Sequence, residues 1–125
     1  MIAYLIDSDC AIYAMVDENS PLIRRMMGCN PGEIGISAVS FAEIAYGTHA
    51  GKPPTPSVLE AFVKAIPLLP FDEAAAREYA RLPFKRARFD RLLAAHALSI
   101  GAAVVTNNPG DFVDVPGLKV ENWAV

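Results

Sequence analysis

Ile2-Ala3-Tyr4-Leu5-Ile6-Asp7-Ser8-Asp9 opens the chain and decides how its fold is read. Five consecutive apolar residues fit a strand buried on both faces, as in a parallel sheet; a half-solvated strand would alternate. Asp7 ends the run. Asp7-Ser8-Asp9 then offers side-chain oxygens to the unpaired N–H groups of a helix start, so Cys10 to Val16 is predicted helical. A second helix is predicted from Ser20, with Pro21 in its first turn and Gly28 as its stop.

The same alternation continues outward. Ile34 to Ser37 is the second predicted strand, and Val39 to Thr48 the helix after it. Lys52-Pro53-Pro54-Thr55-Pro56 cannot be helical and forms a loop. Ser57-Val58-Leu59-Glu60 fits a capping box for a helix running to about Ile66. A short strand is predicted within Ile66 to Phe71, and Asp72 is expected to cap a helix over Glu73 to Leu82. Pro83 to Phe89 is a basic connector, followed by a helix from Asp90 to Ile100 that stops at Gly101. Ala102 to Thr106 is the fourth strand, Asn107 to Gly110 a turn, and Leu118 to Val120 a final short strand. Strands alternating with helices predict an α/β fold with right-handed crossovers and a parallel sheet.

Length and composition agree with one domain over residues 1–125. Hydrophobic residues make up 53% and charged residues 20%, which excludes a disordered chain. Eleven Lys and Arg against fourteen Asp and Glu leave a net charge of −3, arguing against nucleic-acid binding through bulk charge alone. Cys10 and Cys29 form no CxxC pair and no four-ligand zinc set; both are expected as small buried thiols. No secretory signal pattern and no run of about eighteen apolar residues occurs, so a cytoplasmic location without membrane contact is expected.

The carboxylates carry the chemistry. Asp7 ends the first strand, Glu43 lies six residues beyond Ser37, Asp90 opens a helix, and Asp111 follows the fourth strand. Sites in parallel sheets gather at the carboxyl ends of strands, so these four can share one edge. Each also has a plain structural role available. Asp7 and Asp90 can cap helices, Glu43 can close a capping box with Ser40, and Asp111 can stabilise a turn. Glu43 stands out because Phe41, Ala42, Ile44, Ala45 and Tyr46 surround it, and a buried carboxylate there needs a partner.

Together these segments resemble PIN-domain ribonucleases, and within them the VapC-like toxins of bacterial toxin–antitoxin pairs. The resemblance runs through Tyr4 to Asp9, Ile36 to Gly47, Phe89 to Ala97, Val104 to Phe112 and Val115 to Trp123. Ser8 replaces the usual Thr and keeps the hydroxyl. Asp9 replaces the usual Asn and adds a carboxylate, and the connector from Leu82 to Asp90 is short for the family. The resemblance implies a three-layer α/β/α domain with a mostly parallel twisted sheet of four to five strands. It implies an Mg²⁺-dependent endoribonuclease, with Mn²⁺ as an alternative ion. Asp7, Glu43, Asp90 and Asp111 would be the catalytic and metal-binding carboxylates, with Asn108 the rival for the fourth place. Ser8, Asp9, Thr106 and Asn108 would support them. Lys85, Arg86, Arg88 and Arg91 are candidate RNA phosphate contacts.

The resemblance also implies a cognate antitoxin and a homodimer. Ile12, Tyr13, Met15, Val16, Leu22, Ile23, Met26 and Met27 crowd the first two helices, which suits a groove for an apolar partner helix. His49 and His96 are expected to serve packing or the surface, and Trp123 to anchor the C-terminal segment. Two rival readings remain. Asp7-Ser8-Asp9 after a strand also fits a small haloacid-dehalogenase-type phosphatase with Asp7 as nucleophile, although Ala11 departs from that pattern. A catalytically inactive binding module of the same fold is the other.

Overall fold

The computed structural model describes residues 1–83 and 89–124. Its centre is a five-stranded sheet in which every neighbouring pair is parallel. In chain order the strands are β1 (Tyr4–Ile6), β2 (Ile34–Ser37), β3 (Leu68–Leu69), β4 (Ala103–Val105) and β5 (Val120–Glu121), and their spatial order is β3-β2-β1-β4-β5. The helices are α1 (Ser8–Val16), α2 (Pro21–Met27), α3 (Ala38–His49), α4 (Pro56–Ala65), α5 (Glu73–Ala80) and α6 (Phe89–Ile100), with a 3-10 turn at Pro109–Phe112.

The period-two geometry of a strand explains the three layers. Ile6 and Val105 point into a cluster with Ala11, Leu22, Ile44, Leu59 and Trp123, which packs α1, α2, α3 and α4 on one face. Their neighbours Leu5 and Val104 point the other way, against Leu93, Ala94 and Ala97 of α6 and Phe112. Both faces of β1 and β4 are therefore covered, which is why their sequences are uninterrupted apolar runs. Gly35 in β2 sits in a tight place: a Cβ there would stand 3.1 Å from Leu69 Cδ1 and 3.2 Å from Ile2 Cδ1, so those side chains would have to give by a few tenths of an ångström.

Local caps shift several predicted boundaries. The helix predicted from Ser57 starts at Pro56, because the Thr55 side chain accepts from Val58 N–H and the proline occupies the first turn. Ser37, not a residue inside the helix, caps α3 by accepting from Val39 N–H. Ser40 therefore lies within α3, with a buried hydroxyl that has no hydrogen-bond partner among the described residues, and the Ser40–Glu43 capping box does not form. Asp90 lies in the first turn of α6, whose first residue is Phe89. Most of the apolar surplus on α1 and α2 packs against the core, leaving Val16 and Met27 exposed. Cys10 is buried as expected, its thiol pushed up to about 12 by burial and by Asp7; Cys29 is only partly buried. Among the described residues, no helix is long and apolar enough to cross a membrane.

Candidate active site

The strand order places the site. The chain runs outward from β1 to β2 and β3 on one side, then returns to add β4 and β5 on the other. The reversal opens a crevice between the carboxyl ends of β1 and β4, where ligands of open parallel sheets bind. The register aligns Ile6 with Val105, so Asp7 and Thr106 are the next residues on the two sides of that crevice. Asp7 N–H donates to Val105 C=O at 2.9 Å, fixing its position.

Asp7 caps a helix and stands at the edge of the crevice. Its Oδ1 accepts from Cys10 N–H at 2.8 Å and caps α1. Its carboxylate also accepts a hydrogen bond from the Thr106 side chain. Thr106 is fully buried, and its Oγ1 in turn accepts from Asn108 N–H at 3.0 Å. Burial raises the Asp7 pKa above the usual carboxylate value, opposed by the Thr106 and Cys10 hydrogen bonds.

Glu43 reaches the same edge from the second turn of α3. Ser8 Oγ donates to Glu43 Oε1 at 3.2 Å, tying the start of α1 to α3. The Glu43 pKa is also raised. Burial is the main cause, Ser8 opposes it, and the charges of Asp90, Asp9 and Asp7 add to it. The structure thus brings Asp7, Ser8, Asp9, Glu43, Asp90 and Thr106 into one neighbourhood. Asp111 stands on the exposed 3-10 turn beyond β4, and Asn108 is exposed just before it, donating from Nδ2 to Asn107 Oδ1.

The donor chemistry fits a hard divalent cation. Several carboxylates act on one another in a partly buried crevice, and a cation would relieve their repulsion. Among the described residues, no three carboxylate, imidazole or thiolate groups converge closely enough to ligate one ion directly. A hydrated Mg²⁺ still suits such a site, because it keeps several waters and can meet carboxylates through them.

The cationic candidates divide. Lys85, Arg86 and Arg88 lie outside the described residues. Arg91 does not serve as a phosphate contact: it is 7% exposed and spent within the fold. Its Nη1 donates to Asp114 Oδ2 at 3.1 Å and its Nη2 to Pro83 C=O at 3.0 Å, joining α6 to the segments that precede and follow it. Arg91→Met is expected to cost about 2 kcal/mol of stability, the scale of hydrogen bonds to charged groups. Urea unfolding measures this loss, and the salt dependence of RNA binding should not change.

The histidines stay out of the crevice chemistry. His96 is buried, with Nδ1 2.7 Å from Ser37 Oγ and its ring edge-on to Phe71, and burial lowers its pKa. His49 is exposed in the last turn of α3. Sequence reasoning did not single out Lys52 or the placement of Tyr46. Both line a hollow of about 240 Å³ with Ser8, Asp9 and Glu43. Tyr46 is legible as the residue three beyond Glu43 on the same helix face. Lys52 arrives only through the loop after α3, and no local signal marks it.

The PIN domain family profile matches residues 4–118. The chain belongs to the PIN-domain family. It is 33% identical over 134 residues to a tRNA(fMet)-specific endonuclease VapC of Shigella flexneri, covering 99% of this chain and all of that one. It is 26% identical to a ribonuclease VapC2 of Haemophilus influenzae, over 98% of this chain and 99% of that one. Among solved structures, VapBC2 of Rickettsia felis bound to a promoter DNA fragment superposes with a TM-score of 0.85 at 27% identity, covering 98% and 99% of the two chains. DNA-bound VapBC of Salmonella typhimurium gives 0.83 at 28% identity over the same shares. As a PIN domain with five parallel strands, the chain has the expected three-layer architecture. Its family also disfavours the phosphatase reading of Asp7 and Asp9.

Proposed function

We propose that this PIN domain is a metal-dependent endoribonuclease, the toxin of a toxin–antitoxin pair, hydrolysing RNA phosphodiester bonds at the crevice between β1 and β4. The observation that carries the proposal is the electrostatic cluster of Asp7, Asp9, Glu43 and Asp90 at that crevice. Its support is the full-length similarity to proteins named as endonucleases and ribonucleases.

Asp7, Glu43 and Asp90 would hold Mg²⁺ or Mn²⁺, with Asp111 or Asn108 as the fourth group. Bound there, the ion would supply charge stabilisation on the phosphoryl oxygens and an activated water. The chain's own residues do the positioning. Ser8 holds the Glu43 carboxylate by its hydroxyl, and Thr106 holds that of Asp7, so both are oriented before substrate arrives. Asp9 adds negative charge that favours a cation over the phosphate alone. Lys52 at the rim and Lys85, Arg86 and Arg88 in the connector are candidate phosphate contacts. Arg86→Ala with Arg88→Ala should weaken RNA binding and flatten its dependence on salt, read from binding isotherms across a salt series.

The partner reading rests on the relatives, several of which are solved as VapBC complexes. An antitoxin segment lying along α1 and α2, and a homodimer in the cytoplasm, follow as parts of the same proposal. Purified protein incubated with structured RNA and Mg²⁺, in parallel with an aryl phosphate, tests the reaction. RNA cleavage without phosphatase activity is expected. Phosphatase activity alone would return the Asp7 nucleophile reading, and neither activity would leave a binding module.

A further inference from the structure

Tyr46 is 79% exposed and Phe89 is 48% exposed, two large rings left in solvent at the edge of the acidic crevice. Core packing does not account for Tyr46, since the buried face of α3 is supplied by Val39, Ser40 and Ile44. The two rings line one groove of about 460 Å³ together with Ala42 and Glu43. Glu43 and Tyr46 also line the adjoining hollow with Ser8, Asp9 and Lys52. Tyr46 therefore stands on the boundary between an aromatic groove and the carboxylate cluster. Ala42, one turn before Tyr46, contributes a small side chain to the same groove.

We propose that Tyr46 and Phe89 form a stacking subsite for one unpaired nucleobase of a single-stranded RNA segment, beside the phosphodiester presented to Glu43. The inference rests on the endoribonuclease reading and names the form of RNA it takes. A cation and basic side chains would meet the phosphates of any RNA, single-stranded or paired, so selecting one form needs a contribution that is not ionic. Base stacking on aromatic rings supplies one, and it is open only to bases outside a duplex. The groove volume falls in the range of small-ligand sites, roughly 300–1,000 Å³. Continuity with Glu43 then selects the occupant: a base attached to the phosphate being cut must lie within one nucleotide of the carboxylates.

A short single-stranded RNA carrying one 2-aminopurine provides the probe, because stacking quenches its fluorescence. Titrations in Ca²⁺, a hard cation of looser geometry than Mg²⁺, keep the carboxylates neutralised and separate binding from cleavage. With wild-type protein, quenching on binding is expected. Tyr46→Ala and Phe89→Ala should each weaken binding about 5- to 100-fold and relieve the quench, while Tyr46→Phe should stay within about twofold of wild type. Unchanged affinity and quench in Tyr46→Ala overturn the subsite, as does the absence of quenching with wild type. An effect of Tyr46→Ala confined to sedimentation, with RNA binding unchanged, marks a protein contact and overturns it too. Cleavage measured separately in Mg²⁺ keeps the two readings apart. Quenching without cleavage leaves the subsite standing and removes the nuclease, whereas cleavage with normal binding by both alanine variants does the reverse.

Discussion

Asp7→Asn is expected to reduce RNA cleavage at least about 100-fold while leaving the protein folded. The magnitude follows from the role. Groups that merely orient metal ligands already cost 10- to 100-fold when lost, and Asp7 would be a ligand itself. The fold should survive because the asparagine oxygen can still accept from Cys10 N–H and cap α1. The pH behaviour distinguishes this from general damage. Asp7 and Glu43 have folded-state pKa values raised above 3.8 and 4.5, chiefly by burial. Their stabilising contribution is full below those ordinary values and is lost as pH rises through the raised ones. Near neutral pH the ionised carboxylates thus oppose folding of the metal-free protein. In EDTA, Asp7→Asn should melt at or above the wild-type temperature at about pH 7, and the advantage should vanish toward about pH 3.5. Thermal melts across that range, beside initial cleavage rates, check both halves.

Trp123→Ala is expected to cost about 3–5 kcal/mol, the scale of removing a large buried aromatic. Trp123 is 1% exposed and packs edge-on against Tyr4, with ring centroids 4.8 Å apart. Its Nε1 donates to Glu121 Oε1 at 2.9 Å, and the Arg25 guanidinium lies 5.1 Å from the ring centroid. One side chain thereby fastens β1, β5 and α2. Domains are stable by only about 5–15 kcal/mol, so a large part of the total is at stake. Urea unfolding should show a lower midpoint at an unchanged slope; a cost under about 1 kcal/mol would contradict this anchoring role.

The architecture was legible because β1 and β4 are buried on both faces and therefore written as continuous apolar runs. Their lengths were less so: β3 is an edge strand of two residues, and nothing in Ile66 to Phe71 marks which two pair. Helix starts slipped where two cap residues competed, as Thr55 and Ser57 do. At the site, Asp7 was readable as the residue ending a strand, and Glu43 as a carboxylate among apolar neighbours. Their hydroxyl partners Ser8 and Thr106 were legible only through resemblance, because the pairings cross from α1 to α3 and from β1 to β4. Arg91 was misread because a run of basic residues looks solvated along the chain, while its helix phase turns it inward toward Asp114. The acidity of the chain also changes meaning. Setting four of the fourteen carboxylates aside leaves ten against eleven Lys and Arg, so on this account the net −3 is concentrated at one pocket.

The central claim is that this pocket holds a divalent cation, and a melting experiment addresses it without relying on turnover. Mg²⁺ or Mn²⁺ at ten times its Kd should stabilise the wild type by about 1.4 kcal/mol. For a domain of this size that is roughly 5 °C in Tm. The Asp7→Asn, Asp90→Asn double variant should shift far less under the same ion. An equal shift in both proteins, or none in the wild type at any millimolar concentration, would contradict the account.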